Sequence, residues 1–212
     1  MNRNFIKNPD NKKILIDSYG RTINYLRVSV TDRCNYRCTY CMPEKMKFLP
    51  KKDLLTLDEM DYLCSLFISR GIKNIRLSGG EPLVRKGIIK FISNLSRFIK
   101  EGDLDEITIT TNGSQLKSCS QDLYDSGVRR INVSLDSLDE EKFNEITRRD
   151  DLLNVLEGLE AAKKSGLKVK INTVVIKNKN LYEVNNIISW AHKNNFDISL
   201  IETMPVGLTD QD

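Results

Sequence analysis

Short apolar runs alternate along the chain with longer amphipathic segments. Helical patterns, with apolar positions every three or four residues, are found near residues 57–70, 86–100, 115–126, 138–147, 151–165 and 180–194. Six apolar runs have the length of buried strands and lie near residues 26–30, 74–78, 106–110, 130–134, 168–173 and 197–203. Strands that alternate with helices in this way predict right-handed βαβ units and a parallel sheet.

Three of the strand units resemble one another. Each contains a glycine, a short turn, a buried strand and a terminal hydroxyl residue, as in residues 71–78, 127–134 and, shifted by one position, 166–173. The repeated plan leaves two architectures open, which are an open doubly wound sheet and an incomplete α/β barrel.

Local signals mark the start of two helices. Thr56 and Glu59 have the spacing of a capping box, and Gly71 is expected to end that helix in a left-handed conformation. Ser137 and Glu140 repeat the spacing and predict a second capping box.

Residues with special chemistry follow five of the strands. In either architecture, active residues lie at the carboxyl ends of the parallel strands. Turn chemistry alone explains one or two such segments but does not easily explain five on one face. The segments are the cysteine-containing loop at 31–55 and residues 79–82, 110–113, 134–136 and 202–205.

Three cysteines, Cys34, Cys38 and Cys41, share one loop with the spacing C-x3-C-x2-C. Thiolates so close in sequence favour a soft metal centre, and no fourth ligand is nearby. One interpretation is a [4Fe-4S] cluster with an open iron, and the alternative is a structural zinc with a distant fourth ligand. Cys64 and Cys119 lie in helical patterns and are expected to be apolar fillers.

Two arginines, Arg27 and Arg76, lie within strands that are otherwise apolar. A buried arginine needs a partner. One interpretation is an internal ion pair with an acid such as Asp136 or Glu202. The other is that both arginines point into a barrel lumen and bind an anionic substrate, and Lys170 in the fifth strand is interpreted in the same way.

Composition narrows the class of protein. The 212 residues are 40% hydrophobic and 29% charged with a formal net charge of +4, as in an ordinary globular domain. Basic residues form no long run, so nucleic acid is not expected as a partner. The polar segment 1–13 and the lack of ~18 consecutive apolar residues predict neither a signal peptide nor a membrane span. Five cysteines with three clustered argue against disulfides and suit a reducing cytoplasm.

The cysteine loop, with Tyr40 before its last cysteine, and the segment 79–82 (GGEP) together resemble the radical S-adenosylmethionine (SAM) superfamily. This resemblance implies an α/β fold, an incomplete (β/α)6 barrel of parallel strands that forms the radical SAM core. It also implies that SAM chelates the open iron and that an electron from the cluster cleaves it to methionine and a 5′-deoxyadenosyl radical. No catalytic residue beyond cluster and SAM is implied.

Within the superfamily, the chain is similar to the GTP 3′,8-cyclase family of molybdenum cofactor biosynthesis, from about residue 20 to 207. The similarity rests on residues 26–35, 40–43, 76–83, 110–113, 129–136 and 201–207. It implies that Cys34, Cys38 and Cys41 bind the cluster. It implies a SAM site that contains Tyr40, Gly80, Ser134 and Met204. It implies contacts to GTP from Arg27, Arg76, Thr110 and Lys170.

The implied activity is that of a radical SAM lyase. The radical removes hydrogen from C3′ of GTP, and the carbon radical adds to C8 of the guanine. The implied partners are GTP and an electron donor such as flavodoxin or ferredoxin, and a homodimer is compatible with the resemblance. The implied division is an N-terminal tail at 1–20, the partial barrel at 21–205 and the start of a C-terminal region at 206–212.

The sequence departs from the family pattern in one large respect. The family carries a C-terminal extension whose three further cysteines hold a second [4Fe-4S] cluster, and this sequence has no cysteine after Cys119. We therefore expect cluster and SAM binding without efficient cyclisation of GTP. Two alternatives stay open, which are a radical SAM enzyme with another substrate such as a peptide, and a non-catalytic metal-binding module.

Overall fold

Six parallel strands form one sheet in the computed structural model, which describes residues 14–203. Each strand pairs with its neighbours in sequence, so the spatial order equals the chain order. A doubly wound sheet reverses its strand order at a switch point, whereas sequential winding is that of an α/β barrel. The strands are β1 (Tyr25–Ser29), β2 (Asn74–Ser78), β3 (Glu106–Thr111), β4 (Arg130–Ser134), β5 (Lys168–Val175) and β6 (Asp197–Glu202).

The barrel is open between its first and last strands, because the six-stranded sheet ends at β1 on one side and at β6 on the other. This finding confirms the expected α/β class and the incomplete (β/α)6 barrel. Helices connect successive strands, and two of them lie between β4 and β5. The helices are α1 (Leu57–Ser69), α2 (Ile88–Glu101), α3 (Leu116–Asp125), α4 (Glu140–Thr147), α5 (Leu152–Lys164) and α6 (Val184–Lys193).

The two faces of the sheet differ in chemistry. Alternate residues of each strand point to opposite faces, and parallel register places like positions side by side. Leu77, Ile109 and Ile131 lie on the outer face and are fully buried beneath the helices. The inner face carries mainly polar and charged side chains, among them Arg76 and Thr108. The hydrophobic core therefore lies between the sheet and the helices, and the polar side chains of the strands point to the inner face of the barrel.

Of the two capping boxes that the sequence predicts, the structure contains the one at the start of α1 but not the one at the start of α4. Thr56 and Glu59 form the predicted capping box, and Gly71 has the predicted positive φ of 101°. The second predicted capping box is wrong, because α4 begins at Glu140 and its cap is Asp139, which accepts from the backbone N–H of Lys142. The hydroxyl of Ser137 instead donates to the buried Glu183 carboxylate at 2.8 Å.

Residues before the first strand contact the barrel. Ile16 and Thr22 form an isolated antiparallel bridge, and the backbone N–H of Leu15 donates to the carbonyl of Arg70. The divisions at residues 20 and 205 stay predictions, and Met204 with residues 206–212 lies outside the described part of the chain. Within residues 14–203, none of the helices has the length and apolar character that a membrane crossing requires.

Candidate functional site

A cavity of about 290 Å³ opens at the carboxyl ends of β1 and β2. Its wall contains the three cysteines of the loop, and Gly79 and Gly80 face them from the end of β2. The structure therefore brings together Cys34, Cys38, Cys41 and Gly80, four of the residues that sequence reasoning selected.

The three thiols differ in exposure. Cys34 and Cys38 are partly buried, while Cys41 is exposed. Burial raises the pKa of Cys34 and Cys41 and raises that of Cys38 to about 12. These thiols are therefore protonated near neutral pH until a metal centre displaces their protons. Three soft sulfur donors around one cavity fit an iron–sulfur cluster. Within residues 14–203, no three His, Cys, Asp or Glu side chains are arranged to hold a single metal ion.

The junction between α4 and α5 holds the cysteine loop in place. The backbone N–H of Arg37 donates to the carbonyl of Thr147 at 3.0 Å, and the guanidinium of Arg149 donates to the carbonyl of Asn35 at 2.8 Å. The phenol of Tyr36 donates to the carboxylate of Asp151 at 2.5 Å. These contacts span more than 100 positions in sequence, so tertiary packing fixes the loop that carries the sulfur donors.

The aromatic residue between the second and third cysteines has its own anchor. The phenol of Tyr40 donates to Oδ2 of Asp136 at 2.7 Å, and Oδ1 accepts from the backbone N–H of Val174 at 2.8 Å. Burial raises the pKa of Asp136 to about 6 and raises that of Tyr40 well above its usual value. Tyr40 therefore ties the loop to the end of β4.

The two glycines after β2 pack directly against the backbone of residues 31–33. A Cβ at Gly80 would lie 2.4 Å from the carbonyl oxygen of Arg33, and a Cβ at Gly79 would lie 2.5 Å from that of Thr31. The N–H of Gly80 donates to the carbonyl of Thr31 at 2.7 Å, and the N–H of Glu81 donates to the carbonyl of Arg33 at 2.8 Å. Close approach of two backbones, for which only glycine has room, accounts for this pair of glycines.

Glu81 links the glycine turn to the end of β3. It is 1% exposed, and its carboxylate accepts from the hydroxyl of Thr111 at 2.8 Å and the N–H of Asn112 at 2.6 Å. Burial raises the pKa of Glu81. Sequence reasoning did not assign a role to Glu81 or Asn112, although both lie in segments that it placed at this edge.

Asn112, which is hydrogen-bonded to Glu81, also forms a hydrogen bond with the cysteine loop. Its amide nitrogen donates to Oδ1 of Asn35 at 2.9 Å and lies 3.9 Å from Sγ of Cys34. The backbone N–H of Tyr36 also points to this sulfur, at 3.4 Å. Such donors stabilise a thiolate, and donors to ligating sulfurs tune the potential of a cluster.

Positively charged residues form a band across the inner face. Arg27 and Arg76 are register partners on β1 and β2, so their side chains leave adjacent positions of one face. Arg76 packs against the ring of Tyr25 and lies 3.4 Å from the hydroxyl of Thr108. Arg27 is exposed on this open face. The same row continues through Thr108 to Arg130 and Lys168.

The ion-pair interpretation of these arginines is not supported by the described residues. Among residues 14–203, neither Arg27 nor Arg76 forms a salt bridge, and Lys170 forms none there either. Asp136, one of the suggested partners, is bound to Tyr40 and Val174. The binding of an external anion by these arginines stays a prediction.

The next row of the inner face adds polar groups. Thr110, Asn132 and Lys170 are register partners on three successive strands. Asn132 is 2% exposed, and its Oδ1 has no hydrogen-bond partner among the described residues. Ser134 ends β4 on the same face. Sequence reasoning assigned no role to Asn132. Arg130, the first residue of β4, pairs with Glu106 at 2.6 Å.

The remaining candidates lie apart from the cavity. Cys64 is buried in the core at 2% exposure, and Cys119 packs against the core from α3. Burial raises the pKa of both thiols to about 12. These positions agree with the prediction that the two cysteines are apolar fillers.

Comparison with known proteins defines the class. The family model described as the radical SAM superfamily matches residues 28–191, which is more than half of the chain. The chain therefore belongs to the radical SAM superfamily.

Relatives of known sequence narrow the similarity further. A protein of Brucella ovis named GTP 3′,8-cyclase is 61% identical over 193 residues, which are 91% of this chain and 56% of that protein. The protein of the same name from Brucella canis has the same identity and coverage. The chain thus spans little more than half the length of these curated relatives.

Solved structures of other proteins share the fold. SuiB of Streptococcus suis bound to S-adenosylmethionine superposes with a TM-score of 0.72 and 19% identity, over 88% of this chain and 42% of that chain. Methylornithine synthase superposes with a TM-score of 0.66 and 13% identity, over 95% of this chain and 59% of that chain. At these identities the likeness concerns the fold alone.

Proposed function

We propose that this chain binds a [4Fe-4S] cluster and SAM and forms a 5′-deoxyadenosyl radical. The observation that carries the proposal is a shared cavity lined by Cys34, Cys38, Cys41 and the glycines after β2. Membership of the radical SAM superfamily supports it. The three thiols would hold the cluster, which when bound supplies the electron that cleaves SAM.

The protein's own contribution is to position SAM. In this proposal Tyr40, Gly80 and Ser134 contact it, and Met204 joins them from beyond the described residues. The hydrogen bond from Tyr40 to Asp136 fixes the loop on one side of the cavity. The packing of Gly80 against Arg33 fixes the other side. Such preorganisation matters because a misplacement of about 1 Å can cost a hundredfold in rate.

The proposed substrate is GTP, and the proposed reaction is 3′,8-cyclisation. The 61% identity to proteins named GTP 3′,8-cyclase supports this assignment. So does the neighbouring pair Arg27 and Arg76, since guanidinium groups bind phosphate oxygens through paired hydrogen bonds. Thr110 and Lys170 would contact GTP from the next row of the inner face.

The proposal includes elements that the described residues do not contain. A second [4Fe-4S] cluster would be held by the part of the relatives that this chain does not span. A low-potential donor such as flavodoxin or ferredoxin would supply the electron, and a reducing cytoplasm would protect the cluster. A homodimer is compatible with the proposal.

The experiment is anaerobic reconstitution of the 212-residue chain with iron and sulfide, followed by incubation with SAM and dithionite. We expect 5′-deoxyadenosine by mass spectrometry. With GTP added, we expect GTP binding without efficient cyclisation, because these residues span only 56% of the cyclase relative. A loaded cluster that yields no 5′-deoxyadenosine would contradict the proposed SAM cleavage, and absence of GTP binding would favour another substrate.

A further inference from the structure

Four lysines lie on the segment that follows the cysteine loop. Lys45, Lys47, Lys51 and Lys52 are all exposed, and the segment 44–53 contains only two carboxylates, Glu44 and Asp53. None of the four lysines forms a salt bridge with another residue in the range 14–203. We name these four residues the lysine surface.

The segment that carries the lysine surface is attached to the cysteine loop. The backbone N–H of Leu49 donates to Oδ2 of Asp32 at 2.7 Å, and the guanidinium of Arg33 donates to the carbonyl of Leu49 at 3.3 Å. The guanidinium of Arg37 donates to the carbonyl of Glu44 at 3.2 Å. The lysines therefore have a defined position beside the loop.

An aromatic contact strengthens this attachment. The guanidinium of Arg37 lies 5.3 Å from the ring centre of Phe48, and that of Arg33 lies 5.9 Å from it. A guanidinium within about 6 Å of a ring centre is attracted to the face of that ring. Both arginines belong to the cysteine loop, so the positive charge of the loop and that of the lysine surface lie close together.

Two residues of the lysine surface adjoin a residue of the cluster cavity. Met46 lines that cavity together with Cys34, Cys38 and Cys41, and Lys45 and Lys47 flank Met46 in sequence. Cys41 is the exposed member of the three cysteines. A protein that approaches the cavity from its Cys41 side would therefore come near Lys45 and Lys47, because Met46 lies between them.

We propose that the lysine surface is the docking site for an acidic one-electron carrier protein, of the flavin or iron–sulfur class. The inference rests on the proposed function, in which the carrier loses one electron and the centre held by the three cysteines gains it. No bond is formed or broken in this transfer.

The positive charge of the lysine surface would guide the association of an acidic carrier protein. Electron-transfer complexes are small and short-lived, with less than about 1,200 Å² buried. In small interfaces, complementary charge raises the association rate more than it raises affinity. A phosphate substrate would instead meet Arg27 and Arg76, which lie on the inner face of the barrel. The two positively charged regions therefore have separate roles.

The test compares cluster reduction in three double variants with the unmodified chain. Two change the lysine surface, Lys45→Glu/Lys47→Glu and Lys51→Glu/Lys52→Glu. The matched control is Lys164→Glu/Lys193→Glu, which has the same change in net charge. Lys164 and Lys193 are exposed in the last turns of α5 and α6, at the opposite edge of the sheet. Each reconstituted protein is mixed with acidic flavodoxin hydroquinone or with dithionite, and absorbance follows the cluster.

At low ionic strength, we expect the lysine-surface variants to be reduced by flavodoxin at least about tenfold more slowly than the unmodified chain, since steering by charge alters association rates by roughly 10–1000-fold. We expect the difference to shrink as salt screens the charges. The control should stay within about twofold of the unmodified chain, because its charges lie far from the docking site. Dithionite, which needs no docking surface, should reduce all four proteins at similar rates.

Four results would overturn the inference. Equal rates with flavodoxin would show that the lysines do not guide the carrier, and an equal loss in the control would show that only net charge matters. A loss with dithionite as well would show that the substitutions disturb the cluster itself. If the unmodified chain has no dithionite-reducible cluster, the proposed function fails, and the docking inference fails with it.

Discussion

The phenol of Tyr40 donates a 2.7 Å hydrogen bond to the carboxylate of Asp136, a residue 96 positions later in the sequence. Tyr40 lies between the second and third cysteines of the loop, and Asp136 follows the end of β4. The bond therefore joins the proposed cluster ligands to the strand that ends in Ser134, a proposed SAM contact.

Tyr40→Phe tests this bond. It leaves Oδ2 of the buried Asp136 without its donor, which should lower the free energy of unfolding by about 1–3 kcal/mol. We also expect weaker SAM binding, because the loop loses its anchor. Urea unfolding and isothermal titration with SAM measure the two effects. The control is Tyr62→Phe on α1, where the side chain is 63% exposed. Equal losses of stability and of SAM affinity in the Tyr40→Phe and Tyr62→Phe variants would contradict an anchoring role for Tyr40.

Alanine substitutions separate the cluster ligands from the other cysteines. Cys34→Ala, Cys38→Ala and Cys41→Ala should each abolish SAM cleavage, because these are the thiols that line the cavity in residues 14–203. Cys64→Ala and Cys119→Ala should leave cleavage intact, since both thiols pack at the core. Iron content and 5′-deoxyadenosine yield provide the measurements. Full cluster loading in the Cys38→Ala protein would exclude this assignment.

Gly80→Ala should destabilise the fold by more than about 3 kcal/mol, which is at the upper end for single substitutions. Its Cβ would lie 2.4 Å from the carbonyl oxygen of Arg33, and that obstacle is backbone that cannot rotate away. Gly102→Ala is the control, because its Cβ would have no neighbour within 4 Å. The control bears only the strain of its φ of 78°, about 1–2 kcal/mol. Thermal or urea unfolding compares the two, and equal costs would contradict the close approach at Gly80.

Arg27→Gln should have opposite effects on stability and binding. Arg27 and Arg76 are register partners on parallel strands, and like charges at directly neighbouring positions of a sheet are destabilising. The variant should therefore be at least as stable as the unmodified chain. It should bind GTP at least about tenfold more weakly, since a hydrogen bond to a charged group contributes about 1.5–3 kcal/mol.

Arg70→Gln is the control for this pair of effects. Arg70 is exposed at the end of α1, away from the inner face, so its loss should leave GTP affinity unchanged. Urea unfolding and calorimetric titration with GTP measure both properties. Unchanged GTP affinity in the Arg27→Gln protein would remove Arg27 from the substrate site.

Glu81 should make stability depend on pH. Burial raises its pKa in the folded protein above the usual value of 4.5, so the folded state holds the proton more tightly than the unfolded state. The contribution of Glu81 to the free energy of unfolding is fully present below pH 4.5. It is lost as the pH rises through the raised pKa of the folded state. Glu81→Gln removes this titration but weakens the bond from the N–H of Asn112.

The measurement for Glu81 is urea unfolding of both proteins between pH 4.5 and 7. We expect the Gln variant to be less stable at pH 4.5, where the protonated acid is still present in the unmodified chain. We expect the difference between the two proteins to narrow toward pH 7. A difference that widens with pH would mean that the ionised carboxylate is the favoured form in the folded state.

Sequence alone predicted the features that depend on local chemistry. The alternation of apolar runs with helical patterns predicted the six parallel strands, because backbone geometry imposes its period on the side chains. The capping box at Thr56 was predicted because its bonds lie within one helical turn. The cysteine spacing indicated a shared metal centre for the same reason, since the three residues lie on one short loop.

Only the tertiary structure decided which distant residues meet. Strand register made Arg27 and Arg76 neighbours, and it left Asn132 with a buried oxygen between Thr110 and Lys170. Tertiary packing places Glu183 where it accepts a hydrogen bond from the hydroxyl of Ser137, so Asp139 and not Ser137 caps α4. Partners such as Tyr40 and Asp136 are separated by about a hundred residues, and many arrangements of the same elements satisfy the local pattern. The register of the strands and the packing of the helices select one arrangement from among them, and the site exists only in that arrangement.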